Sequence, residues 1–162
     1  VELFFIKEYT LLFGNSVLSF TFVLTAILIF SAVGGFFTQY LKQQHLKITI
    51  LILVAILLVI FFGLDMVIHQ ILGFPTVVRY TMAILLLIPL GFLLGIPFPL
   101  AMQHLLVNPV QRAYAWTANG CASVLTAIAS AQIALSHGIP TILIFAVFSY
   151  LLAFLCIGTR KG

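Results

Sequence analysis

Charge is what this sequence has least of. Only 6% of its 162 residues are Asp, Glu, Lys or Arg, against about 25% in a soluble domain. So few charges cannot cover a water-facing surface, and they leave out the parts of an ordinary hydrolytic or redox site. Seven Lys and Arg against three Asp and Glu give a net charge of +4, too few basic groups for a nucleic-acid footprint. The two cysteines, Cys121 and Cys156, both sit in apolar runs, so neither a disulfide nor a zinc site is expected. A signal peptide would need a basic start, a short apolar stretch and a small-residue cleavage site, and these are missing too. The chain opens on Val1 and Glu2 rather than Met, which reads as a sequence beginning inside a longer protein.

What is there is apolar: 64% hydrophobic residues and a mean hydropathy of +1.30. The alternation of apolar and polar residues that a membrane β-barrel requires is absent. Helices are the remaining way to satisfy every backbone group in lipid, and about 20 apolar residues cross the bilayer core. The uncharged intervals predict spans at about 17–37, 48–72, 80–100, 114–136 and 140–158, the last two separated by Ser136-His137-Gly138-Ile139-Pro140. The expected fold is all-α. It is a polytopic integral membrane helix bundle of about five transmembrane helices with an N-terminal helix stub, in one transmembrane domain over 1–162. Lys42, Lys47, Arg112, Arg160 and Lys161 fall on one side, Lys7 and Arg79 on the other. The basic excess places the C-terminus in the cytoplasm of a multi-pass protein.

The third span holds Gly91 and Gly95, then Pro97 and Pro99. Glycines at this spacing open one face to a neighbouring backbone, and the prolines predict a helix break near 96–98. Broken helices can line binding sites. The plainer reading is a helix leaving the bilayer, with Gln103 and His104 just beyond. On the fourth span Asn119, Ser123, Ala127 and Ala131 recur every four residues beside Gly120, a seam for tight packing with polar groups able to bond across it. Its expected partner is the Gly91 and Gly95 face. Tyr114 and Trp116 suit the headgroup level. Ser31, Ala32, Gly34 and Gly35 form a further small-residue stretch in the first span, and Asn15 or Ser16 is placed to cap its start.

Asp65 and His69 stand one helical turn apart on the second span, with Arg79 after the Gly73-Phe74-Pro75 turn. An ionisable group in a span is a functional candidate by default. A proton or cation relay would place carboxylates on more than one span, so a local interfacial cluster of Asp65, His69 and Arg79 is the simpler reading. His69 and His137 fall near opposite-side helix ends and are the candidates for axial cofactor ligation. No close His pair on one helix supports it, and no cofactor or metal is expected. His45 and His104 belong to loops.

Four segments together resemble a known module. They are Val1-Glu2-Leu3-Phe4-Phe5-Ile6-Lys7 with Leu11-Leu12-Phe13-Gly14-Asn15-Ser16-Val17-Leu18-Ser19, then Leu28-Ile29-Phe30-Ser31-Ala32-Val33-Gly34-Gly35, then Gly95-Ile96-Pro97-Phe98-Pro99-Leu100, and Ala115-Trp116-Thr117-Ala118-Asn119-Gly120-Cys121-Ala122-Ser123-Val124-Leu125. In this order they resemble the C-terminal transmembrane region of bacterial membrane-bound spermidine synthase-like proteins. The likeness covers residues 1 to about 138. Asn15-Ser16 stands where the family has His-Pro, and Ala32 replaces a Gly, so no role of that histidine carries over. The resemblance implies that residues 1–6 end a helix begun upstream, and that full-length relatives carry a Rossmann-like aminopropyltransferase-type domain before it. No glycine-rich nucleotide loop and no acidic pair for an amine occurs in this sequence.

The expected function is therefore a non-catalytic membrane module in the bacterial inner membrane, whose partners are the lipid bilayer and either an upstream domain or other membrane subunits. The alternative is an accessory or scaffold subunit of a larger membrane redox or photosynthetic complex. A small-molecule transporter, with the Pro97 and Pro99 break as its site, ranks last, because no internal repeat and no charged midplane residue is found.

Overall fold

The computed structural model describes residues 1–106 and 108–158, and these form helices joined by short turns. The helices are α1 (Glu2–Phe13), α2 (Ser16–Phe37), α3 (Gln43–Ile71), α4 (Thr76–Leu94), α5 (Pro97–Leu105), α6 (Pro109–His137) and α7 (Pro140–Gly158), with a 3₁₀ turn at Thr38–Tyr40. The all-α class expected from composition is what is found. Five stretches are long and apolar enough to cross a membrane: Ser16–Tyr40, Gln43–Ile71, Thr76–Leu105, Pro109–His137 and Pro140–Ile157. The protein is a multi-span membrane helical protein. Its outer surface bears this out, since Phe62 is 79% exposed and Leu135 85%, which lipid tolerates and water does not.

Each turn has a local cause. Gly14 takes a left-handed conformation (φ 67°) to end α1, which a side chain would resist. Asn15 then caps α2, its Oδ1 accepting from the backbone N–H of Val17 at 2.9 Å and Leu18 at 3.2 Å. Asn108 caps α6 in the same way, accepting from Val110 N–H at 2.9 Å, with Pro109 in the first turn. Gly138 (φ 85°) closes α6 before Pro140 opens α7.

Two expectations need correction. The N-terminal stub does not end at Ile6: α1 runs on through Lys7 and Glu8 to Phe13, because nothing before Gly14 breaks the helix. It belongs to the core, with Phe4, Phe5, Tyr9 and Leu12 buried beside Val23, Ile27, Leu64, Ile68, Leu87 and Leu143. The helix break expected near 96–98 is found at Gly95–Ile96. Pro97 and Pro99 open α5, where a first turn needs no N–H partner. The apolar stretch of the third span extends through α5 to Leu105.

The second correction concerns pairing. The Gly91 and Gly95 face meets α2, not α6. Gly91 lies against Ile27 and Phe30, Gly95 against Ser31, and Gly35 against Gly95 and Pro99. Residue numbers rise together on the two helices, so α2 and α4 run parallel, as two crossings in the same direction must. Contact is backbone on backbone: a Cβ on Gly34 would collide with the Phe92 carbonyl, and one on Gly95 with the Ser31 carbonyl. Close approach of this kind brings carbonyl oxygens and Cα hydrogens together. Glycine on both partners makes it possible. The α6 seam of Asn119, Ser123, Ala127 and Ala131 carries a Cβ at every step.

A second, smaller core lies at the other end, where Leu46, Ile50 and Val54 of α3 pack with Ile96 and Leu100. The Lys47 ammonium stands 5.9 Å from the Phe154 ring centre of α7, within cation–π range.

Candidate functional site

Polar side chains are few enough to be followed one by one. At the α5 end, Gln103 donates from Nε2 to Thr38 Oγ1 at 2.9 Å, while Thr38 donates to the Gly35 carbonyl. His104 Nε2 lies 3.0 Å from the Leu41 carbonyl. The residues after the helix break thus latch α5 onto the turn between α2 and α3. At the break itself the Gly95 N–H donates to the Gly91 carbonyl at 3.2 Å and the Ile96 N–H to the Leu93 carbonyl at 3.3 Å.

Asp65, His69 and Arg79 do not assemble into one cluster. Asp65 and His69 face each other at a long 3.8 Å with side chains 77% and 67% exposed. Arg79 turns the other way and donates from Nε to the Phe74 carbonyl at 2.8 Å, closing its own turn. The short Gly73-Phe74-Pro75 connection places that carbonyl nearer than Asp65. His137 sits 2.7 Å from Ser136 Oγ at the end of α6. Among the described residues no three of His, Cys, Asp and Glu gather as a metal site.

Helix α6 is the outlier of the bundle. It has no buried residue along Pro109–His137, packs along α7, and touches α5 where Trp116 meets Phe98 edge-on at 5.1 Å. Among the described residues nothing outside its own helix backbone lies within 4 Å of where a Gly120 Cβ would stand. Asn119, Ser123, Ala127 and Ala131 therefore lie open. Ser123 donates to the Asn119 carbonyl at 2.8 Å and Thr117 to the Ala113 carbonyl at 3.0 Å, the ordinary way a hydroxyl is satisfied on a helix.

No family model, curated protein or solved structure matches this chain. The likeness to spermidine synthase-like proteins therefore rests on its four motifs alone.

The group that sequence reading missed is on α1. Glu8 is 2% exposed, with Oε1 2.8 Å from Lys7 Nζ and Oε2 buried without a hydrogen-bond partner. Beside it, Tyr9 donates its hydroxyl to the Ala83 carbonyl of α4 at 2.8 Å. A signal was present. Phe4, Phe5, Glu8, Tyr9 and Leu12 fall at helical spacing, which places Glu8 on the apolar face once α1 is read as a helix.

Arg160 and Lys161, two of the basic residues behind the predicted orientation, lie outside the described residues.

Proposed function

We propose that this chain is a non-catalytic membrane module that docks through α6 against a transmembrane helix of another membrane subunit. One observation carries the reading: a 29-residue helix with no buried residue turns a small, polar seam outward. The seam joins Asn119, Ser123, Ala127 and Ala131, with Gly120 beside it. Small residues let a second backbone approach, and an Asn amide facing hydrocarbon gains most from a partner across the interface. The motif likeness to the membrane region of spermidine synthase-like proteins supports the same reading, with an upstream domain held at the membrane. In this reading the protein sits in a bacterial inner membrane with its C-terminus in the cytoplasm.

A photo-crosslinking residue at Asn119 or Ser123 tests it, with one at lipid-facing Phe62 as control. Docking predicts a discrete protein adduct from the α6 positions in native membranes and none from Phe62. Lipid adducts alone at all three positions would remove the proposal.

A further inference from the structure

Among the described residues, Glu8 is the one whose buried side chain leaves an oxygen without a hydrogen-bond partner. Tyr9, next to it, reaches Ala83, about 10 Å along α4 from its start at Thr76. The carboxyl thus lies well inside the bundle, not at its rim. One oxygen is held by Lys7 and the other is buried without a partner. A carboxylate oxygen left so in an apolar core is unfavourable unless something binds it.

The surroundings limit what that ligand can be. Helix α2 carries no titratable side chain. Asp65 and His69 of α3 are exposed and face each other. On α4, Arg79 bonds the Phe74 carbonyl and Tyr80 stacks on Phe13. Helix α7 carries Tyr150 and Cys156, α6 carries His137 against Ser136, and α1 itself adds Glu2, Lys7, Tyr9 and the amino group of Val1. A calcium or magnesium ion needs six or more oxygen ligands, and no group of three metal-binding side chains exists among the described residues. A proton needs only one oxygen.

We propose that Glu8 is a proton-binding carboxyl inside the membrane bundle, and that Lys7, 2.8 Å away, is the group that exchanges its proton. The Lys7 side chain is 45% exposed against 3% for Glu8, so the pair has one open and one closed end. In the transfer an N–H bond of the Lys7 ammonium breaks and an O–H bond forms on Glu8. The electron pair stays on nitrogen, and ammonium with carboxylate becomes amine with carboxylic acid. The pair has no net charge before or after, so the step suits a low dielectric. The Lys7 amine then takes its next proton from water.

Dicyclohexylcarbodiimide tests this. The reagent partitions into lipid and adds to protonated carboxyls, the acid O–H adding across C=N with no leaving group. Full natural chain in native membranes is treated across a pH series, digested, and mapped by mass spectrometry. The expected result is an adduct on Glu8 and not on Glu2 or Asp65, falling as pH rises and lost in E8Q. Substituting K7M, which removes the ammonium, carries labelling of Glu8 to higher pH. An unlabelled Glu8, labelling that ignores pH, or equal labelling of Asp65 overturns the proton site. An unchanged pH profile in K7M overturns the Lys7 route. Site mapping in the unsubstituted chain decides the first question even if E8Q does not fold.

Discussion

The Tyr9 hydroxyl donates to the Ala83 carbonyl at 2.8 Å, tying α1 to α4 across the middle of the larger core. Tyr9 also meets Phe5 and Phe13 edge-on, at 5.8 Å for each pair of ring centres. Removing the hydroxyl by Tyr9→Phe keeps those rings and loses one hydrogen bond, a loss of about 1 kcal/mol. Tyr9→Ala empties a fully buried site and should cost about 3–5 kcal/mol. Unfolding in mild detergent measures both. A Tyr9→Phe loss equal to that of Tyr9→Ala would mean that packing of the ring contributes nothing.

Glycine substitutions should separate the two small-residue seams. Gly95→Ala places a methyl against the Ser31 carbonyl and should cost about 1–3 kcal/mol by forcing α2 from α4. Gly120→Ala meets nothing outside its own helix among the described residues and should leave the isolated protein as stable or up to about 1 kcal/mol more so. Thermal unfolding of the two variants in the same detergent checks this. Equal losses would mean that α6 packs as tightly as α4.

The α5 latch predicts a modest effect. Gln103→Leu leaves Thr38 its own bond to Gly35 and removes the link to α5, at about 1 kcal/mol. The expected local sign is faster hydrogen exchange in α5 with α3 and α7 unchanged. Exchange that rises evenly through the chain would argue against a local latch.

Asp65→Asn should do little. Its separation from His69 is long and both groups are exposed, so the change in stability stays within about 0.5 kcal/mol. A midpoint of unfolding that drops well beyond this would give Asp65 a partner outside its own helix.

Much of the fold was readable because its causes are local. Asn15 as a cap, the turn at Gly138 and the break ahead of Pro97 all depend on neighbours within a few residues. The partner of Gly91 and Gly95 was not readable. Stripes at 31–35, 91–95 and 119–131 look alike in one dimension, and reciprocal glycine contact decides between them. Glu8 was missed for a related reason: a charge near the start of a chain looks exposed until α1 is known to lie among α2, α3 and α7.

Composition and spacing by themselves determined that this protein is a bundle of membrane helices, and which stretches of the chain supply the long apolar ones. Both follow from transferring apolar side chains into lipid and from satisfying each backbone within its own segment. Tertiary structure alone decided which faces meet: α2 on α4, α1 inside the core with Glu8 enclosed, and α6 left open. Lipid is as apolar as the helix surfaces it bathes, so hydrophobicity does not choose partners there. Fit between backbones does, and that depends on positions far apart in the chain.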